Sequence, residues 1–405
     1  MPILRDLISR KAMTVTGDWT SAWPGRTSAA GVTVTPEGAL GLVAVYSAAT
    51  LIAGAGSSLP TRILNAAGDM HTPQKPDQYR ALWDRPNPLM TRQAMTETAL
   101  LSMLLWGNAY EGLTYDMRGE LVERWPIDPA RVTRVTVDKA SGAIAYDVRD
   151  HGTVVVGRDE KFPQLLHVAG PTLPGRVLGM SPIETVMNHI GLSHAIERTA
   201  AGFYKNGMNP AGTIEVKGKM TRDTAREYAA RMQDAFGGVE KAGKWAVMDE
   251  GSKMLPLTIP PIQAQFVEQQ RYSDRKIASI FRVPPHLISD VDASTSWGSG
   301  IEEQTMSFGV YTLTPWLTRI EQAIEARLLR GTGYQYRHML QGLMRGNTAA
   351  RNAAYSAGRL GGWLSVNDIR RMEDMPGIGE DGDVFLSPLN MEPASDAATP
   401  APLAA

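Results

Sequence analysis

Apolar positions along this chain alternate between two periods, and the switches between them outline its organisation. Leu42, Val45, Tyr46, Ala49, Ile52 and Ala53 recur at helical spacing on one face and predict a helix near 40–53. Pro60 to Leu64 reads as a short strand ended by Asn65-Ala-Ala-Gly68. Thr91 is placed to cap a helix that runs to Trp106, where Gly107 stops it. Period two then dominates to about residue 168. Val135 and Val137 alternate with polar neighbours, Lys139-Ala-Ser-Gly142 turns the chain, and Ile144, Tyr146 and Val148 alternate back.

Helical spacing returns at Ser181-Pro182-Ile183-Glu184, which has the form of a capping box. Ile183, Val186, Met187 and Ile190 follow on one face, predicting one helix to about Asn206, roughly 37 Å long. Thr221 is placed to cap a second helix, with Gly237-Gly238 as its stop. A third is expected from Gln263 to Phe281, ending before Pro284-Pro285. A fourth is expected from Ile301 to Leu329, interrupted or kinked by Pro315. Ala350, Ala353, Ala354 and Ala357 mark a small-residue helix. Residues 1–36 read as an irregular arm, and the Ala/Pro-rich stretch 391–405 as a disordered tail.

Charge changes this picture in one respect. The 41 Lys plus Arg nearly balance the 42 Asp plus Glu, whereas a protein that grips phosphates carries a basic excess. DNA, if met, is met without being held. The absence of cysteine removes disulfides, thiolate metal sites and cysteine nucleophiles. No charged residue occurs between Glu37 and Arg62, a length able to span a bilayer. Glycines, serines and Thr50 dilute the stretch, which reads as a buried or interface helix.

Candidate chemistry is sparse. Gly377-Ile-Gly379-Glu-Asp-Gly382 fits a dinucleotide pattern, but no strand precedes it and its acids would repel a pyrophosphate, so an acidic turn is the better reading. The sequence has no G-x-x-x-x-G-K-[ST], and Gly298-Ser-Gly300 is no nucleophile elbow. His189 and His194 are five apart, a spacing that turns them away from each other on a helix. Asp290 and Asp292 lack a third metal ligand nearby in sequence, and a flexible acidic loop is the favoured reading. Trp297 stands in an otherwise small-residue loop, where it either touches a partner or folds back onto a helix.

Several segments together, in one order, resemble the portal proteins of HK97-type bacteriophages. They are Val45-Tyr-Ser-Ala-Ala-Thr-Leu-Ile-Ala53 leading to Ser58-Leu-Pro60, Leu82-Trp-Asp-Arg-Pro-Asn-Pro88, and Leu105-Trp-Gly-Asn-Ala-Tyr-Glu111. Trp125-Pro-Ile-Asp-Pro129, Leu166-His-Val168 and Gly179-Met-Ser-Pro-Ile183 follow. Next come Phe203-Tyr-Lys-Asn-Gly207 with Pro210-Ala-Gly212, and Ile277-Ala-Ser-Ile-Phe-Arg-Val-Pro-Pro285. Phe308 to Pro315, then Leu364-Ser-Val-Asn-Asp-Ile-Arg370 with Gly382-Asp383, complete the run. The resemblance departs after Gly333, where Tyr336-Arg-His-Met carries no acidic residue before the last helices.

The resemblance implies an α+β, multi-domain portal fold that assembles as a ring of twelve copies. It implies an N-terminal arm (1–36), a mixed α/β wing (37–180), stem helices (181–207 and 259–288) flanking a small α/β clip (208–258), and a tunnel loop (289–300). A tunnel-supporting helix with more wing (301–332), a helical crown (333–390) and the tail (391–405) complete the expected domains. Asp290, Asp292, Ser294, Thr295, Ser296 and Trp297 are the expected channel residues, and Val45, Tyr46, Ala49 and Ile52 the expected subunit-packing face. Expected partners are the chain itself, the major capsid protein, the terminase large subunit, the head–tail adaptor and passing double-stranded DNA, with no membrane and no cofactor. The expected place is the capsid vertex of a virion, with assembly in the host cytoplasm, and the expected role is not enzymatic. Two rivals from other classes are a DNA-processing enzyme using Asp290 and Asp292, and a membrane-associated protein using residues 39–59.

Overall fold

A computed structural model describes residues 17–20, 23, 25–65, 72–138, 140–205, 213–216, most of 221–231, 252–255, 262–288, 306–340, 348–373 and 375–386. The chain divides into two compact units, Met1–His338 and Met339–Ala405.

The first unit begins with β1 (Asp18–Thr20), the hairpin β2 (Arg26–Thr27) and β3 (Thr33–Val34), α1 (Val43–Ser57), β4 (Thr61–Asn65), β5 (Thr72–Gln74) and α2 (Arg92–Trp106). Strands β6 (Asn108–Tyr115), β7 (Leu121–Ile127), β8 (Val132–Val137), β9 (Ile144–Val148), β10 (Gly152–Val156) and β11 (Leu165–Ala169) follow. Then come α3 (Met187–Lys205), β12 (Thr213–Val216), β13 (Ser252–Leu255), α4 (Ile262–Ile280), α5 (Thr314–Arg327) and β14 (Tyr334–His338). The strands form antiparallel sheets in the orders β1-β8-β9-β10, β11-β6-β7 and β14-β4-β5, with β12 and β13 paired as a ribbon.

The alternation read at 135–148 is realised: Val135 faces Tyr146 and Val137 faces Ile144 across the β8–β9 pair. Their inward residues join Tyr110, Val154, Val156 and Leu165 in one apolar cluster. Helix α1 packs on α2 through small residues, Ala44, Ala48, Ala49, Ala53 and Gly56 all being buried. A Cβ on Gly56 would lie 2.8 Å from a Leu100 methyl, so glycine there permits the close approach. Among the described residues no helix is long and apolar enough to cross a membrane.

Several local expectations hold and several shift. Thr91 Oγ1 accepts the Ala94 N–H (3.1 Å) and Thr221 Oγ1 the Thr224 N–H (3.3 Å), each at a helix start. The helix expected near 40–53 begins at Val43 and extends to Ser57. The arm is not irregular where it is described. Its β1 adds an edge strand beside β8, and the turn before β3 reaches α3, where the Ala29 N–H donates to Asn188 Oδ1 (3.0 Å).

The helix expected to run unbroken from Pro182 is two elements. A single turn, Pro182–Thr185, stops at Val186 (φ −115°, ψ 21°), outside the helical range, and α3 starts at Met187. The capping box there is half made. Ser181 Oγ accepts the Glu184 N–H, but the Glu184 carboxylate pairs with Arg26 (3.3 Å) instead of returning to the cap. Strand β14, inside the span 333–390 expected as the crown, pairs with β4 in the first unit, and the division of the chain falls after it.

The second unit holds α6 (Thr348–Leu360), α7 (Val366–Met372) and a short helical turn at Glu380–Asp383. A complete capping box opens α7: Ser365 Oγ accepts the Asp368 N–H, and the Asp368 carboxylate accepts the Ser365 N–H.

Candidate functional site: a helix pair and the polar junctions at its base

Helices α3 and α4 lie side by side, and the Ser193 and Ser273 hydroxyls hydrogen-bond to each other between them. His189, Leu192 and Ile196 line one wall of the groove they form, with Glu268, Tyr272 and Arg275 opposite. Leu192 and Tyr272 are about half exposed, so this pair presents apolar as well as charged side chains outward.

What fixes the base of α3 is a buried polar junction. Gly107 ends α2 with φ +80°. A Cβ there would lie 2.4 Å from the Met180 carbonyl carbon, so both conformation and contact require glycine. Its carbonyl accepts the Gly170 N–H (2.8 Å). Next in sequence, Asn108 Nδ2 donates to the Gly179 carbonyl (3.1 Å), and Asn108 Oδ1 accepts the Gly179 N–H (2.8 Å). Ser181 Oγ donates to the Leu105 carbonyl (2.6 Å). The Leu105–Glu111 and Gly179–Ile183 segments are thus tied just ahead of α3.

His167 completes the junction. Its Nε2 is 2.9 Å from Asn108 Oδ1, which can only accept, so Nε2 carries the proton. Its Nδ1 then accepts from the Tyr146 hydroxyl (3.3 Å), and its ring stacks on Tyr110 (4.7 Å between centroids). Burial pushes the imidazole down to about 3, and the Arg327 charge adds to the effect. Burial also pushes the Tyr146 phenol above its ordinary value, which keeps it a donor.

A second junction ties the Leu105–Glu111 segment to Asn87 of the Leu82–Pro88 segment through Arg124. Glu111 on β6 and Arg124 on β7 form a bidentate pair, Nε to Oε2 at 2.9 Å and Nη2 to Oε1 at 3.0 Å. Both are almost fully buried, and the register sets them diagonally across the strands. Asn87 caps the arrangement, donating to the Arg124 carbonyl (2.8 Å) and accepting the Leu89 and Met90 N–H groups.

The exit of α4 is held from the other side. Arg282 takes φ +56° in a Schellman turn, the Val283 N–H reaching the Ala278 carbonyl (2.9 Å) and the Arg282 N–H the Ser279 carbonyl (3.1 Å). Thr312 Oγ1 donates to the Arg282 carbonyl (2.7 Å). Thr312 belongs to a π-helical segment, Phe308–Leu313, placed where Pro315 was expected to disturb the helix. The Thr314 N–H reaches back to the Gly309 carbonyl, which widens the turn ahead of the proline ring.

Of the residues singled out from sequence, Asp290, Asp292, Ser294, Thr295, Ser296 and Trp297 lie outside the described residues. Val45, Ala49 and Ile52, expected to pack against another subunit, are fully buried in the chain's own α1–α2 core, and Tyr46 alone of the four is exposed, at 57%. Gly377 to Gly382 forms an acidic turn, with Asn367 Nδ2 donating to the Gly379 carbonyl (2.8 Å) and to Asp383 Oδ1 (2.9 Å). Among the described residues no group of three His, Asp or Glu is placed to hold a metal.

The family described as "Phage portal protein" matches residues 43–374. The chain belongs to the phage portal protein family. Among curated relatives, the "Probable portal protein" of Streptomyces phage phiC31 is 32% identical over 91% of this chain and 82% of its own length. The "Portal protein" of Enterobacteria phage HK97 is 29% identical over 79% and 74%. Two solved structures share the fold. A chain of the virion of a native gene transfer agent particle matches 84% of this chain and 93% of its own, with TM-score 0.57 and 19% identity. An HK97 family phage portal protein from Corynebacterium diphtheriae matches 78% and 98%, with TM-score 0.55 and 12% identity. The α+β architecture described above is therefore the portal fold.

Proposed function

We propose that this portal protein forms a ring of twelve at one capsid vertex, through which DNA is packaged and later ejected. The ring reading is supported by the fold shared with a chain from the neck of a native gene transfer agent particle computed with C12 symmetry, over 84% of this chain. The single observation that carries the conduit reading is the helix pair α3–α4, two long helices rooted in buried junctions and joined at the exit of α4 to residues 289–300. In the ring the helices form the stem, residues 208–258 the clip, 289–300 the tunnel loop and 301–332 its support. Residues 37–180 supply most of the wing and residues 333–390 the crown. Terminase docks during packaging, the head–tail adaptor afterwards, and the capsid protein grows around the ring in the host cytoplasm.

The mechanism is geometric and electrostatic. With 41 basic against 42 acidic residues, few phosphates are neutralised, so DNA slides without sequence recognition. Asp290 and Asp292 add repulsion at the loop, and Trp297 is its one large side chain. ATP hydrolysis belongs to the motor, in keeping with the missing phosphate-binding loop.

Shortening residues 292–299 to a glycine linker tests this reading. Rings are expected to form normally while the yield of packaged DNA falls. Rings that package DNA normally would remove the gating role from this loop, and failure to form rings would make the segment structural.

A further inference from the structure

A cleft of about 460 Å³ opens on the first unit between the end of α5, the β6–β7 turn and the turn that follows β10. Tyr79, Tyr115 and Phe162 give it aromatic walls. Phe162 stands edge-on to Tyr115 (5.4 Å between centroids). It also lies over Gly119, which has φ +78° and where a Cβ would come within 2.5 Å of the ring. The Tyr115 hydroxyl is buried and has no hydrogen-bond partner among the described residues. Leaving it so costs free energy, which an acceptor on a ligand would recover. Burial, with Tyr79 and Glu160 nearby, holds the phenol above its ordinary value, so it stays a donor.

Most of the charges that line the cleft are engaged. Arg330 pairs with Asp159, Arg327 Nη1 donates to the Gly157 carbonyl (3.1 Å), and Lys161 lies over the Phe162 ring (5.2 Å). Glu160 Oε2 accepts the Gly157 N–H (2.8 Å), which leaves Oε1 to accept from a ligand. The Arg118 guanidinium is exposed and has no partner among the described residues. The cleft thus offers aromatic surface, one free donor, one free acceptor and one free cation.

We propose that this cleft binds a short extended peptide segment of a partner protein, in which an aromatic side chain is followed by an acidic one. The aromatic side chain packs against Tyr79 and Phe162. A backbone carbonyl of the segment accepts from the Tyr115 hydroxyl, and a backbone N–H donates to Glu160. The acidic side chain reaches Arg118. Phe162, 41% exposed, turns aside to uncover the hydroxyl, a side-chain change of a kind common at interfaces. A nucleic acid strand suits these walls less well, because its phosphates would meet Asp159 and Glu160. The site does not depend on the ring reading above.

Saturation-transfer titrations of the full chain with two blocked dipeptides test this: acetyl-phenylalanyl-glutamate amide and acetyl-phenylalanyl-lysine amide. The acidic peptide is expected to bind wild type more tightly than the basic one, and Arg118→Glu to reverse the order. Tyr115→Phe should weaken the acidic peptide by about threefold to tenfold. Its melting should stay unchanged or rise, since the hydroxyl it removes has no partner. If Tyr115→Phe melts early, the Arg118 reversal decides. Equal binding of the two peptides, or an order that Arg118→Glu leaves as it was, would overturn the inference. So would saturation transfer to neither peptide at millimolar concentration, or displacement of the acidic peptide by adenosine monophosphate, which would make the cleft a nucleotide site.

Discussion

Tyr110 and Trp363 are both large aromatic residues next to a helix end, and their surroundings differ completely. Tyr110 is 1% exposed, stacked on His167 and packed in the sheet cluster of the first unit. Trp363 is 65% exposed beyond the end of α6 in the second. The first unit buries apolar side chains and spends its polar motif residues on internal junctions. The second reverses this, using polar side chains to shape its backbone and turning apolar ones outward. The contrast is between a part whose apolar side chains are covered by the chain itself and a part whose described apolar side chains mostly face outward.

The first way to break this contrast is at Gly107. Gly107→Ala places a Cβ 2.4 Å from the Met180 backbone at φ +80°. Strained backbone and overlap each cost about 1–3 kcal/mol, so the denaturant midpoint should fall by the largest margin of any single change here. Glu111→Ala comes next. It leaves Arg124 buried without its partner, which costs about 3–5 kcal/mol, while Glu111→Leu combined with Arg124→Met should recover most of the loss. A double variant as unstable as the single one would give the pair a role beyond mutual compensation.

Acidification acts through His167. The folded value of about 3 lies below the ordinary 6.5, so the neutral form is favoured by folding. The contribution is fully present above pH 6.5 and is lost as pH falls toward about 3. Each pH unit in that window costs on the order of 1.4 kcal/mol. Urea midpoints measured between pH 6.5 and 5 should therefore fall in the wild type and flatten in His167→Gln. Parallel pH profiles for the two would contradict the assignment of the neutral imidazole. The smallest effect is expected in the second unit, where Leu360→Ser should move the stability of a dissociated chain by only about 0.5 kcal/mol or less. A shift of core size there would mean that α6 packs inward.

Much of the helix content was legible in the sequence, because caps and stops act locally. Thr91, Gly107, Ser181 and the Pro284-Pro285 stop each mark an end found in the structure. Partnership at long range was not. The β1–β8 and β4–β14 pairs join segments far apart in sequence, with no local cue for either. The Glu111–Arg124 pair depends on the register of β6 against β7, a property of two strands together. The uncharged stretch at 39–59 suggested subunit packing, yet Val45, Ala49 and Ile52 are buried within the chain's own fold, where α1 packs on α2, since burial against a neighbouring helix and against a neighbouring subunit leave the same apolar pattern. The break at Val186 has no cue in the cap that precedes it. Within the ordered run of motif segments, Leu105–Glu111, Gly179–Ile183 and Phe308–Pro315 carry residues of the polar junctions described above.

The central claim is that this chain closes into a ring by itself, and mass in solution tests it most directly. Purified protein without DNA, ATP or metal should give closed rings, each of twelve 44.0 kDa copies, visible as annuli by electron microscopy. A strictly monomeric 44.0 kDa species at high concentration, across several salts, would contradict it.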